Sequence, residues 1–417
     1  VTLTLLVDLD DTLLGNEMST FLPAYLHALG EHLSSYAEPE RLISTLLSAT
    51  QQMIENPQPD RSLKESFDAI FYGSLGISIN EMQEALDVFY AEIFPRLQSY
   101  TVFRPQAVDF VEQALDLGYE IVIATNPLFP RTAILQRLAW AGLSLEKYPL
   151  SLVTSVEDFH FAKPNPAFFA EILAHLGWPD RPTVMVGDDL YNDITPARQL
   201  GIPAFWITLD GSQSSNGPFG PTSAGALENV LPWLHATPFE ELLPDFETSL
   251  AQLATLRATP AALGSLAETL PDAILTECPQ ASEWCLTEII CHLRDVDNEV
   301  NLPRIRSVIH EANPFLPGMD TDPWAEERQY ICQNGRDALV EFTKVRIEVL
   351  SLLDDLTPGD WQRLARHAIL GPTSLQELVN IIATHDRLHL RQIHQTLSSV
   401  IIVHPNSQFK DRTNQIG

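Results

Sequence analysis

Leu3-Thr4-Leu5-Leu6-Val7-Asp8-Leu9-Asp10-Asp11-Thr12 is the stretch on which the reading of this chain turns. Residues 3–9 form a short, β-rich apolar run that breaks into acids, the pattern of a buried strand delivering carboxylates at its C-terminal end. Asp8 and Asp10 are two apart, so both face one side of that strand end while Leu9 faces the other. Downstream, further runs of the same kind occur at Glu120–Thr125, at Thr183–Val186, at Pro203–Thr208 and, more weakly, at Leu150–Thr154. Helical patterns over Ala107–Leu117, Arg131–Ala141, Pro166–Leu176 and Thr195–Leu200 separate them. This β-α-β alternation with right-handed crossovers predicts an α/β domain, a parallel sheet with helices on both faces. The long stretch from Gly15 to Tyr100 is too long for a crossover and is patterned as several helices, so it reads as an inserted helical cap over about residues 15–100.

From Asp210 to Gly225 the sequence is dense in Gly, Ser and Pro, the composition of a linker. A short helix over Ala226–Leu234 would finish the first domain, although Pro232 weakens it. The domains are therefore expected at 1–236 and 237–405, with a tail over 406–417. In the second, helical patterns recur at Glu241–Leu256, Ser282–Val300, Arg336–Leu353 and Leu375–Leu397, and no strand is expected. An all-α four-helix bundle is the economical reading.

The 417 residues hold 25 Lys and Arg against 55 Asp and Glu, a net charge of -30. That field repels phosphate backbones and anionic lipid, so neither nucleic acid nor membrane is expected as a partner. Four cysteines without Cys-x-x-Cys spacing argue against a disulfide framework or a cysteine zinc site and suit a reducing compartment. The start lacks the basic flank and length of a signal peptide, and no apolar run approaches the ~18 residues of a membrane span. A soluble, cytoplasmic protein is expected.

In open α/β sheets chemistry gathers beyond the carboxyl ends of strands. Asp8 could attack phosphorus there and Asp10 could shuttle the leaving-group proton. Thr125 and Asn126 offer a hydroxyl and an amide to phosphoryl oxygens. Lys163, one of five lysines, lies between Ala162 and Pro164 at a helix start and could neutralise phosphate. Gly187-Asp188-Asp189-Leu190-Tyr191-Asn192-Asp193 supplies hard oxygens for Mg2+. Each element alone is an ordinary strand end or surface group; four in order, all at strand ends or helix starts, are not.

These residues resemble the haloacid dehalogenase-like (HAD) hydrolase superfamily, whose four motifs match Asp8–Thr12, Thr125, Lys163 and Gly187–Asp193. The resemblance covers most of residues 1–235 and implies a Rossmann-like core with a C1-type cap that closes over a small phosphorylated metabolite. It implies Asp8 as the phosphorylated nucleophile, Asp10 as general acid/base, and Thr125 and Lys163 on the transferring phosphoryl group. Mg2+ would be held by Asp8, the Asp10 backbone carbonyl and Asp188, with Asp189 and Asp193 sharing the remaining acidic role. Asp10 favours a phosphatase over a dehalogenase, which needs no proton donor there.

On the last predicted helix, His385 and His389 are four apart within an apolar stripe that includes Leu378, Ile381, Ile382 and Leu388. His292 lies at the flank of the apolar face of the 282–300 helix, with Glu299 on the same side. Three imidazoles from two bundle helices can bind a divalent metal with open positions; histidines paired within the core are the alternative. The segments Ser282–Asp295 and His385–Ile393 resemble the DinB-like (DinB/YfiT) superfamily of metal-binding four-helix bundles over roughly residues 240–400, and the segment around His367 also suits it. The resemblance implies His292, His385 and His389 as ligands for Zn2+, Ni2+ or Fe2+. The leading expectation is a Mg2+-dependent phosphohydrolase fused to a metal-binding bundle. Its alternatives are a metal-dependent thiol transferase in the second domain and a non-catalytic scaffold that binds a phosphorylated ligand.

Overall fold

A computed structural model of the chain describes residues 2–208, 217–280 and 283–403. By packing, the chain falls into two compact units. Residues up to 57, 61–165 and 181–245 form the first, and residues 58–60, 166–180 and 246 onward form the second.

The first unit is built on six parallel strands: β1 Thr4–Val7, β2 Glu120–Ile123, β3 Leu152–Val153, β4 Thr183–Gly187, β5 Ala204–Ile207 and β6 Ser223–Gly225. Their order is β3-β2-β1-β4-β5-β6. This is the doubly wound arrangement, in which the order reverses beside β1 and opens a crevice at the strand ends. The register aligns Val7 with Ile123 and Val186, so β1, β2 and β4 end level and deliver their following residues to one place. Leu5, Leu6 and Val7 have no exposure at all, which is why this strand reads as a continuous apolar run without alternation. The helical patterns expected between the strands in sequence appear as α5 Pro105–Asp116, α6 Arg131–Trp140, α7 Pro166–His175 and α8 Thr195–Leu200. Helix α7 packs against α10 Ser249–Thr269 and is grouped with the second unit.

The insertion leaves and returns through a two-stranded antiparallel pair, Leu14–Gly15 with Val102–Phe103. Gly15 is required where the two cross, because a Cβ there would lie 2.9 Å from that of Val102. Between them stand α1 Met18–His32, α2 Pro39–Glu55, α3 Leu63–Leu75 and α4 Ile79–Val88. Helix α3 shows how the sequence sets such boundaries: Ser62 and Glu65 form a reciprocal capping box, and Gly76 stops the helix in the left-handed region at φ 72°.

The linker expectation needs correction. Residues 210–216 lie outside the described residues, but Ser223–Gly225 forms β6 and extends the sheet beside β5. Pro232 falls in the first turn of α9 Val230–Ala236, where its missing N–H has no intrahelical partner to lose.

In the second unit the four long helical segments are α10, α11 Leu286–Val296 continuing through a π-turn at 297–301 into α12 Leu302–His310, α13 Gly335–Asp354 and α14 Leu375–Val403. Leu256, Ile305, Val349, Leu353, Leu378 and Ile382 pack its core. Two expectations fail here. The first helix, expected over 241–256, begins only at Ser249, capped by the Thr248 hydroxyl accepting from the Ala251 N–H (3.2 Å), and runs through a buried Pro260. An internal proline leaves the carbonyl four residues earlier without its donor. Here that carbonyl, Leu256 O, accepts from Arg346 Nη1 (3.1 Å), so the helix continues. Second, strands do occur: β7 Phe315–Leu316, β8 Leu364–His367 and β9 Gly371–Ser374 form a small sheet in the order β9-β8-β7. They hold two to four residues each and contain Pro372 and Gly371, so they carry almost no period-two signal. The helix expected from Ser282 starts at Leu286; residues 281–282 and the tail at 406–417 lie outside the described residues.

Arg346 is fully buried and joins three elements. Its Nε donates to Asp297 Oδ2 (2.7 Å) and its Nη2 to Asp386 Oδ1 (3.1 Å), and both acids are themselves buried. Removing one member of a buried charge cluster strands the others in a low-dielectric core. Arg346→Ala is therefore expected to destabilise the second unit by about 3–5 kcal/mol, the range for breaking a buried pair. Chemical denaturation of the full chain, followed at a transition assigned to this unit, checks it; a loss below about 1 kcal/mol would contradict the role.

Among the described residues no helix is long and apolar enough to cross a membrane.

Candidate active site and candidate metal centre

Immediately after β1 the backbone turns sharply. Asp8 N–H donates to Val186 O (2.9 Å), tying the first acid to β4, while Leu13 and Leu14 N–H both return to Leu9 O. The turn needs Asp11 at φ 54°, a conformation that aspartate tolerates better than most residues, and Asp11 Oδ1 accepts from Asn16 N–H (2.9 Å). Arg104 also donates to the Asp11 carbonyl, binding this turn to the segment where the cap returns.

Lys163 comes from the loop before α7, where Asn126 Oδ1 accepts from its backbone N–H (3.2 Å). Its buried Nζ bridges Asp8 Oδ1 (2.7 Å) and Asp193 Oδ1 (2.5 Å). Burial alone would strip the ammonium of its proton, but the Asp193 and Asp8 carboxylates more than offset this and raise its pKa. Asp193 sits against Gly187 so closely that a Cβ on residue 187 would overlap its carboxylate. Asp188 accepts from the Thr12 hydroxyl (3.2 Å). Burial, then the Asp8 and Asp11 carboxylates, push Asp188 up to about 7.

Asp8, Asp188 and Asp193 thus place carboxylate oxygens within 4.8 Å of one another. Opposite ligands of an octahedral Mg2+ stand about 4.2 Å apart, so the set is of the right size and chemistry for a hard cation. The raised proton affinity of Asp188 follows first from its burial and then from the Asp8 and Asp11 carboxylates beside it. Thr125 supplies a sign of a missing partner: its Oγ1 is buried and has no hydrogen-bond partner among the described residues.

The structure refines three sequence expectations at this site. Asp189 does not join the cluster; its carboxylate accepts from the Tyr191 and Asn192 N–H groups (2.8 and 3.1 Å), capping the turn that carries Asp193. Asn126 uses its side-chain carbonyl oxygen to fix the Lys163 backbone, which adds a positioning role to the expected one. Asp10 lies outside the carboxylate cluster and is held by Asn16 Nδ2 (2.8 Å) and by an ion pair with Arg137. Sequence reasoning missed Arg137, which is 1% exposed with its guanidinium 5.1 Å from the centre of the Phe129 ring and 5.6 Å from that of Phe21. Burial lowers its pKa to about 10, and Asp8 partly opposes the shift. The only available signal was one arginine on the apolar face of α6.

The second unit brings its three predicted histidines together. His292 Nε2 and His389 Nε2 each lie 3.1 Å from His385 Nε2. Tetrahedral ligands about 2.05 Å from a metal stand about 3.3 Å apart, close to both separations from His385 Nε2, and a ligand nitrogen of each of the three rings lies within 4.8 Å of the others. Burial and the neighbouring imidazoles lower His292 to about 3; burial, His389 and Arg346 do the same to His385. All three rings are therefore neutral at pH 7, the form that ligates. His389 Nδ1 faces Gln392 Oε1 (2.9 Å), which leaves its Nε2 as the lone-pair nitrogen if that contact is a donation from Nδ1. Trp284 stacks on His389 with the planes 8° apart and closes one side.

The surroundings differ from the sequence reading. Leu378 and Ile382 are buried, but Ile381 and Leu388 are exposed, and His385 and His389 are half-buried at the flank of the stripe that continues through Ala383, Asp386 and Leu390. Glu299 pairs with Arg328 (2.6 Å) and stays out of the triad, because the π-turn at 297–301 shifts the helical phase by about a residue. His367 sits on β8, where Nδ1 accepts from Ile369 and Leu370 N–H. Cys278, Cys285 and Glu288 also approach one another, but burial raises the Cys285 thiol to about 12, away from the thiolate.

Comparison with known proteins follows this division. Residues 2–201 match the family described as haloacid dehalogenase-like hydrolase, and residues 255–393 match the DinB superfamily. A protein of Oceanobacillus iheyensis named a metal-dependent hydrolase is 31% identical over 115 residues, which is 26% of this chain and 63% of that one. The phosphoserine phosphatase of Thermus thermophilus is 30% identical over 119 residues, 28% of this chain and 45% of that enzyme. Among solved structures, a HAD phosphatase from Thermococcus onnurineus aligns over 56% of this chain and 98% of its own at 20% identity, with a TM-score of 0.38. The chain spans between 27% and 63% of the lengths of the curated relatives it matches.

Proposed function

We propose, for a chain whose residues 2–201 match the haloacid dehalogenase-like hydrolases and whose residues 255–393 match the DinB superfamily, that the first unit is a Mg2+-dependent phosphohydrolase acting on a small phosphorylated molecule. The observation that carries this reading is the buried Asp8–Lys163–Asp193 chain beside Asp188 and the unpartnered Thr125 hydroxyl. Together they make a site with a nucleophile, a fixed positive charge, a cation cage and a free donor. Asp8 attacks phosphorus, the ester oxygen departs with a proton from Asp10, and an acyl phosphate forms on Asp8. Asp10 then takes a proton from the water that releases phosphate. Lys163 Nζ and Thr125 Oγ1 hold the phosphoryl oxygens. Asp8, Asp188 and Asp193, with the Asp10 carbonyl, would hold Mg2+, which supplies charge neutralisation to the phosphoryl group.

Release of inorganic phosphate from a phosphomonoester panel, with Mg2+ and with chelator, tests the reading. Turnover that needs Mg2+ is expected; no turnover of any ester, or turnover indifferent to chelation, would contradict it. For Asp10→Asn, esters with poor leaving groups are expected to lose about 10^2–10^4-fold in kcat and aryl esters with good leaving groups much less, the signature of a lost general acid. Equal losses would count against that role.

Asp188 gives a pH dependence. Protons and cation compete for one carboxylate, so the Mg2+ concentration for half-maximal rate should rise about tenfold per unit as pH falls below about 7. The metal-free fold has the opposite sense: an acid raised from 3.8 to about 7 contributes stability that is full below 3.8 and is lost as pH rises through 7. A Mg2+ requirement unchanged between pH 8 and 5 would remove Asp188 from the ligand set.

For the second unit, His292, His385 and His389 would hold one transition metal, Zn2+, Ni2+ or Fe2+, and leave positions open for water or substrate.

A further inference from the structure

Within the first unit a cavity of about 540 Å³ lies among the cap helices and the loops after β2 and β3. That volume falls in the range of pockets that enclose drug-sized ligands, roughly 300–1,000 Å³. Its walls are mainly aliphatic and aromatic, among them Leu22, Leu29, Leu46, Phe67, Phe71 and Leu86. Four charged residues line it: Lys64, Asp68, Asp87 and Glu157. Lys64 is ion-paired with Asp68, so the lining holds one cation, already neutralised, against three acids. Asp87 accepts from Gln83 Nε2 (2.8 Å), and Glu157 accepts from the Arg131 N–H (3.0 Å). No lining group is therefore suited to a second phosphate or a carboxylate, and an anionic leaving group would meet net negative charge.

The wall is shared with the site. Leu128 and Phe129 follow Thr125 and Asn126 after Pro127, and Phe129 is both part of the cavity lining and the ring beneath the Arg137 guanidinium that pairs with Asp10. Gln136, next to Arg137 on α6, donates through Nε2 to Tyr90 O (2.7 Å) and leaves its Oε1 buried and unpartnered. Tyr25 and Tyr90 meet hydroxyl to hydroxyl (3.0 Å), and burial pushes Tyr25 up to about 12, so it stays neutral. The cavity therefore adjoins the Arg137–Asp10 pair through Phe129, and it offers an apolar volume with one or two hydrogen-bonding groups.

We infer that the substrates are phosphate monoesters of bulky, uncharged, largely apolar alcohols, and that the cap cavity binds the alcohol portion. This inference rests on the phosphohydrolase reading for the reaction but not for the binding. It also separates the chain from an enzyme named for phosphoserine, whose leaving group carries a carboxylate.

The test compares ethyl and octyl phosphate on the full chain in two readouts. One is kcat/KM with Mg2+. The other is calorimetric affinity for the Asp8→Asn variant, which needs no turnover. Burial of methylenes predicts about a fourfold gain per CH2 while space remains, and at least about a hundredfold from ethyl to octyl in either readout. Leu46→Trp and, separately, Leu86→Trp fill the cavity and are expected to erase at least tenfold of that preference while ethyl phosphate is handled as before. Equal handling of the two esters, or a preference kept by both Trp variants, overturns the inference. If neither ester is turned over but octyl phosphate still binds a hundredfold more tightly, the phosphohydrolase reading fails and the cavity assignment stands. If neither is turned over and the two bind alike, both fail.

Discussion

Asp8→Asn is expected to lower kcat by about 10^4-fold or more, the loss typical of removing a covalent nucleophile, while the protein stays folded. Asparagine has the same shape but cannot form the acyl phosphate. The fold should survive because Lys163 keeps Asp193 as a buried counter-ion, so no ammonium is stranded. The Asp8 N–H bond to Val186 O is a backbone contact and is untouched. Circular dichroism and the melting temperature supply the control. Activity within about tenfold of the parent would remove Asp8 from the mechanism, and a collapsed fold would mean that the Asp8–Lys163 pair is chiefly structural.

The second large effect concerns metal content. Full-length protein expressed with transition metals, then stripped of Mg2+ under mild chelation, is expected to keep about one equivalent of transition metal. His385→Ala with His389→Ala is expected to reduce this to none, since one imidazole cannot hold the ion. Phosphatase turnover should persist, because hard carboxylate oxygens form the other site. Inductively coupled plasma analysis decides: metal retained by the double variant, or absent from the parent after supplementation, would leave the three neutral histidines as a polar cluster beside Trp284.

Much of this was legible in the sequence because strongly patterned segments report themselves. The fully buried β1 and the acids after it, the strand-helix alternation and the His385/His389 spacing all follow from local periodicity. What escaped depends on partners distant in the chain. Pro260 looks like a helix end until Arg346, 90 residues beyond Leu256, satisfies the Leu256 carbonyl. Arg137 is a single arginine on the apolar face of α6 whose role is evident only once Asp10 and two aromatic rings enclose it. Asp189 and Asp193 could not be told apart as ligands, because a four-residue difference on a turn became meaningful only when Asp189 was seen to cap it. The outward-facing Ile381 and Leu388 misled in the other direction, since apolar residues are common on protein surfaces.

Central to the account is phosphoryl transfer to Asp8. Rapid acid quenching of turnover with an aryl phosphate and Mg2+, followed by peptide mass spectrometry, should find one added phosphoryl group on the peptide that holds Asp8, and none in Asp8→Asn. Phosphate release with an unmodified Asp8 peptide at every quench time, or a label on another residue that persists in Asp8→Asn, would contradict it.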